Sequence, residues 1–165
     1  MQEPKAPGVT LKDFIPLISI FIVIIILTLF KTLLLDKQIG LLIPNLMAFF
    51  FIIFGTFKII NWSGFVEGYS SYDIIAKRWR IYARIYPLIE LTLGFLYLFN
   101  LYPTITNVIT FIVMSIGSIS VALELYKKNK IQCACLGMVF KLPLTYVTLV
   151  EDLLMAAMAL VMLYF

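Results

Sequence analysis

The chain has 165 residues, 62% of them apolar and 13% charged, with a formal net charge of +4. Soluble domains hold about a quarter charged residues, so a mean hydropathy of +1.03 excludes a water-soluble globule. The lack of any His, with only two Cys, also excludes His-dependent hydrolases, His-ligated haem or zinc centres and disulfide-stapled secreted modules.

A spanning helix needs ~20 mostly apolar residues, and five segments meet that length in chain order. After a tail over residues 1–13, the first runs from Phe14 to Leu35 and is free of charge through Phe30. Lys31 lies close enough to its end to snorkel to the interface. The apolar run exceeds the roughly 7–15 residues of a signal-peptide core and no small-x-small cleavage site follows, so it reads as a retained anchor. The second segment, Leu41 to Ile60, is interrupted only by Lys58. The third, Ile85 to Tyr102, carries Glu90, three residues past Pro87. The fourth, Thr104 to Tyr126, holds Glu124 near its end, and the fifth, Pro143 to Phe165, holds the adjacent pair Glu151 and Asp152. No segment alternates with period two over the length of a barrel strand. The expected fold is an all-α, polytopic membrane helix bundle of five spans.

Basic residues lie between the spans and set the orientation. Eleven of them (Lys5, Lys12, Lys58, Lys77, Arg78, Arg80, Arg84, Lys127, Lys128, Lys130 and Lys141) fall on one side, and only Lys31 and Lys37 on the other. The positive-inside bias then places the N-terminus in the cytoplasm and the C-terminus outside. The same argument explains the basic charge without nucleic acid. Within the second loop, Tyr69, Tyr72, Ile75 and Trp79 recur at helical spacing beside Lys77, Arg78 and Arg80. That pattern predicts an amphipathic segment over residues 62–80 at the lipid interface.

Cys133-Ala134-Cys135 is the most suggestive local motif, because it holds both thiols of the chain one residue apart. Two such thiolates can chelate a soft ion such as Cu(I), Zn(II) or Hg(II), or cycle to a disulfide, and the neighbouring Lys residues favour the thiolate. The intramembrane carboxylates come next. A charged Asp or Glu at a helix centre costs ~2.5–3.5 kcal/mol on the insertion scale, so Glu90, Glu151 and Asp152 are expected to face the bundle interior or a water-filled cavity. Adjacent helical positions diverge by about 100°, so Glu151 and Asp152 are expected to point in different directions. Glu124 is placed to meet Lys127 or Lys128 one turn away. Met155, Met158 and Met162 follow Glu151 on roughly one helix face, and thioethers also bind Cu(I). The candidate metal ligands are therefore Cys133, Cys135, Glu151 and Met155. Packing is the ordinary use of such a Met stripe.

Four short landmarks then fall in order: Phe54-Gly55-Thr56-Phe57-Lys58, Ser63-Gly64-Phe65, Tyr72-Asp73, and Tyr86-Pro87-Leu88-Ile89-Glu90-Leu91-Thr92-Leu93-Gly94. In this sequence they resemble DoxX-like membrane proteins. Cys133-Ala134-Cys135-Leu136-Gly137 after the next span is similar to the Cys-x-Cys element of the MauE branch, the methylamine-utilisation membrane proteins. The resemblance implies a four-helix membrane domain over residues 41–165, with residues 14–35 as an extra N-terminal helix. It further implies a redox-associated or maturation role in a bacterial inner membrane, with Cys133 and Cys135 as the redox thiols. A soft-metal carrier using the thiols with Glu151, and a scaffold without chemistry, are the alternatives. Enzymatic activity is not expected. The expected partners are the lipid bilayer and a cytoplasmic metal-binding or redox protein; a soft metal ion is the cofactor the thiols would take, and a quinone stays open.

Overall fold

The computed structural model describes residues 15–127 and 145–164, and the side chains of all of these except residues 145–147. Among these residues the chain is helical and contains no strand. The helices are α1 (Ile15–Phe30), α2 (Leu42–Ile60), α3 (Trp62–Tyr72), α4 (Ile74–Arg78), α5 (Arg80–Leu98), α6 (Pro103–Tyr126) and α7 (Thr145–Tyr164). Four helical stretches are long and apolar enough to cross a membrane: Ile15–Asp36, Ile39–Ile60, Arg80–Leu98 and Pro103–Tyr126. α7, at 20 residues, is ~30 Å long at ~1.5 Å per residue, the thickness of a bilayer core. Large apolar side chains such as Ile26, Leu35, Ile85 and Leu153 face outward, as lipid solvation allows.

α1 touches the rest of the molecule along a narrow stripe. Leu17, Ile24, Thr28 and Thr32 are its buried positions, spaced by one or two turns. Its last turn widens into a π-helix over Lys31–Asp36 and stops at Lys37, whose φ of 54° lies in the left-handed region. The i→i+5 winding of a π turn brings Asp36 against Lys31, with Nζ 2.7 Å from Oδ2. Asn45 of α2 donates through Nδ2 to Asp36 Oδ2 at 2.7 Å and to Thr32 Oγ1 at 2.9 Å. Lys31 is thus held in an ion pair inside the π turn, which Asn45 ties to α2, where the sequence alone suggested simple snorkelling.

The tightest helix pairs are α2 with α5 and α6 with α7, each antiparallel. Small residues allow the first: a side chain on Gly94 would meet the backbone of Ala48 and Ile52, and one on Gly55 would meet Leu91. In the second, Asn107 near the start of α6 donates to the Met162 carbonyl near the end of α7. α5 begins five residues before the apolar segment read from the sequence. Arg80 and Arg84 extend it into the interface, where their aliphatic stems cover apolar surface and their guanidinium groups stay in water.

Segment 62–80 is two helices rather than one. The break is at Asp73, whose backbone is extended and whose Oδ1 accepts from the Ile75 and Ala76 N–H groups at 2.9 and 2.8 Å, capping α4. Its Oδ2 accepts from Tyr69 Oη at 3.1 Å and Ser120 Oγ at 2.9 Å, which pins the turn to α6. The aromatic stripe divides accordingly, with Tyr69 and Tyr72 buried in protein and Trp79 exposed. Burial holds both buried phenols well above their ordinary range, so they stay hydrogen-bond donors. Asp73→Ala should remove all four bonds and cost about 2 kcal/mol or more, at the upper end for a lost cap. Thermal unfolding in detergent reads this directly; a melting temperature equal to wild type would deny the cap any role.

Candidate functional site

The polar centre of the bundle is built around Lys58, the only charged residue of α2. Its side chain is buried, and Nζ donates to Glu90 Oε1 on α5. A lone charge at this depth is costly, and pairing across the α2–α5 contact meets that cost for both groups. The ammonium also lies 5.0 Å from the ring centroid of Tyr86 and 5.5 Å from that of Phe65, within range of cation–π attraction. Pro87 has no N–H to bond the preceding turn of α5, and Glu90 follows it by three residues.

Two α7 carboxyls face the same centre. Glu151 and Asp152 border, with Lys58, Glu90, Tyr72 and Tyr86, a cavity of about 20 Å³. A space of that size suffices for one water. The 100° offset between neighbouring positions is met by Asp152 turning over α6, where its Oδ2 comes within 2.8 Å of the place a Gly117 side chain would occupy. The two side chains therefore approach one cavity from different directions, although the helix offset suggested they would part. Two buried oxygens here, Glu90 Oε2 and Glu151 Oε1, have no hydrogen-bond partner. Buried acceptors left bare cost about 1–3 kcal/mol each, so this pair marks the place where a proton, a water or a ligand would be held.

The remaining sequence-derived residues are distributed as follows. Met155, one turn after Glu151, is buried and borders a larger apolar groove that Glu151 also reaches. Glu124 is buried at the end of α6, pairing with Lys77 of α4 and lying 3.6 Å from Lys127. Cys133 and Cys135 fall outside the described residues, so the thiol site has no geometry to report. Among the described residues, no group of three or more Cys, Asp or Glu is placed to hold a metal ion. The sequence reading missed Lys58 as the central cation and Asp73 as a buried cap. The signals were a single Lys inside an apolar span and an Asp heading a short helix.

The family described as methylamine utilisation protein MauE matches residues 36–165. The match covers the greater part of the chain and begins at the last residue of the π turn, leaving α1 outside it. The chain belongs to this family of membrane proteins. No curated protein and no solved structure matches it.

Proposed function

We propose that this membrane protein of the MauE family has a redox or maturation role, with Cys133 and Cys135 acting as one thiol site at the cytoplasmic face. The observation that supports this reading is that Lys58, Glu151 and Asp152, which share one cavity with Glu90 of α5, lie toward the end of α2 and the start of α7. Lys58 is two residues from the end of α2, and Glu151 is six residues from the start of α7, ~9 Å along the axis. The connection that carries both thiols leaves the bundle at this end, since it joins α6 to α7. Thiol chemistry needs groups that exchange protons, because the thiolate is the reactive form.

The reaction balances without further groups. One thiolate attacks a disulfide of a partner protein, forming a mixed disulfide and releasing the partner's other sulfur as thiolate. The second Cys then displaces the partner, leaving Cys133 and Cys135 joined and the partner as a dithiol. Two electrons pass to the partner, and the two thiol protons follow. A cytoplasmic dithiol reverses the exchange on the Cys pair.

An impermeant maleimide should label both Cys in inverted vesicles and neither in right-side-out vesicles. A C-terminal alkaline phosphatase fusion should be active, as the eleven-to-two charge split requires. After brief exposure to a model disulfide, mass analysis should find wild type lighter by two hydrogens, and Cys133→Ser heavier by a trapped mixed disulfide that it has no second thiol to resolve. A soft ion retained near one per chain in wild type and lost in Cys133→Ser/Cys135→Ser would favour metal carriage instead. Labelling from the opposite side would overturn the placement.

A further inference from the structure

The opening turns of α3 and α5 line an open cleft of about 330 Å³, within the ~300–1,000 Å³ typical of small-molecule sites. Trp62, Ser63, Val66 and Glu67 come from α3, and Arg80 and Arg84 from α5. The two Arg are exposed and four positions apart, a spacing that sets them one above the other on a single helix face. Among the described residues, neither Arg nor Glu67 has an ion-pair partner. Arg80 is also the first residue of a stretch long and apolar enough to span, so the cleft is at the depth of the lipid headgroups. Cations in the opening turns of a helix face the positive end of its dipole, and the first turn of α5 holds no acidic residue to offset them. Arg80 and Arg84 therefore stand where only an added anion makes their charge favourable.

We propose that this cleft binds the head of a phospholipid whose phosphodiester carries a single negative charge and whose head bears hydroxyls, as in phosphatidylglycerol. Charge decides the first part. Two Arg and one Glu leave the lining with one positive charge, which a phosphodiester cancels and a doubly charged phosphomonoester exceeds. Guanidinium groups meet phosphate oxygens in bidentate pairs. Glu67 decides the second part, because a carboxylate only accepts hydrogen bonds, so the head must carry donors beyond its phosphate. An ammonium head would pair with Glu67 but leave one Arg charge without a counterpart. The surroundings point to a lipid rather than a soluble anion. Past Arg84 the outward face of α5 continues through Ile85, Leu88 and Phe95, all exposed, which gives an acyl chain an apolar lane. Trp62 adds an indole at the cleft, the side chain most at home at headgroup depth. The connection from α6 to α7 carries Lys128, Lys130 and Lys141 and no acidic residue, so it has no carboxylate to stand in for the phosphate. The inference does not rest on the thiol reading, and its test involves no thiol.

The experiment is native mass spectrometry of the full chain in mild non-ionic detergent, titrated with dioleoyl lipids that differ only in their heads. Wild type should hold one phosphatidylglycerol about tenfold more tightly than phosphatidylcholine, the worth of a charge-assisted contact. Phosphatidylmethanol keeps the charged phosphodiester and lacks the hydroxyls, so it should bind about threefold less tightly than phosphatidylglycerol. Arg80→Gln/Arg84→Gln should bring phosphatidylglycerol down to the phosphatidylcholine level. Arg78→Gln/Lys127→Gln removes the same charge from exposed positions outside the cleft and should change binding by less than about twofold. Equal losses in the two double variants would reduce the effect to general surface charge and overturn the site. Equal binding of phosphatidylglycerol and phosphatidylmethanol would overturn the role given to Glu67 and with it the hydroxylated head. Soluble glycerophosphoglycerol in millimolar excess should leave the lipid in place; displacement would make a soluble phosphodiester the ligand and overturn the lipid assignment. Thermal melting verifies that each variant is folded; if Arg80→Gln/Arg84→Gln is not, the ranking of the three lipids on wild type decides. No preference among them would mean that another part of the chain covers the cleft, which overturns the proposal.

Discussion

Lys58→Met should destabilise the protein by about 3–5 kcal/mol, the usual cost of removing one partner from a buried ion pair. Met keeps most of the apolar stem of Lys58 but removes the ammonium from which Glu90 Oε1 accepts. The rings of Phe65 and Tyr86 lose their cation at the same time. Lys58→Met/Glu90→Gln should recover most of the loss, because the uncompensated charge is gone. A double-mutant cycle on unfolding in mild detergent measures the coupling. A single variant within about 1 kcal/mol of wild type would show that the pair is weakly coupled, as exposed pairs are.

Gly94→Ala should cost about 1–3 kcal/mol through overpacking and should act on the site without touching it. The added methyl would lie 2.8 Å from Ile52 Cγ1, 3.1 Å from Ile52 N and 3.2 Å from the Ala48 carbonyl oxygen. Two of those atoms are backbone of α2, so relief requires the helices to part. Parting α2 from α5 stretches the Lys58–Glu90 contact, which bridges the same two helices. Gly55→Ala faces the movable side chain of Leu91 at 3.2 Å and should cost less, while Gly40→Ala meets nothing within 4 Å and serves as the neutral control. Equal melting temperatures for Gly94→Ala and Gly40→Ala would refute close approach as the reason for glycine at position 94.

The spans are legible in the sequence because partition into lipid needs only an apolar run of sufficient length, a property of consecutive residues. α2 and α6 illustrate this, with ends within one or two residues of the expected ones. Partners of polar groups are less legible. Lys58 and Glu90 are separated by 32 positions, and nothing local says that this Lys meets this carboxyl rather than Glu151 or Asp152. The choice depends on the α2–α5 packing that Gly55 and Gly94 permit. Segment 62–80 shows the same limit, since its aromatic period reads as one helix until the bonds from Tyr69 and Ser120 turn Asp73 into a break. Glu151 was legible as an interior carboxyl by its cost alone; that it borders both a polar cavity and an apolar groove depends on three helices together.

The distance along the chain between Lys58 and Glu90 also sets an order of events during synthesis. No bond in the knot of Lys31, Asp36, Asn45 and Thr32 spans more than 13 positions, so the α1–α2 hairpin can close as soon as both helices leave the ribosome. Lys58 is then already made while Glu90 is still 32 residues away. Its position two residues from the end of α2 lets the flexible stem hold the ammonium at the headgroups during that interval. On this order, α5 would bring Glu90 to a charge already waiting at the lipid surface, and the polar centre would need no charge carried through the membrane core.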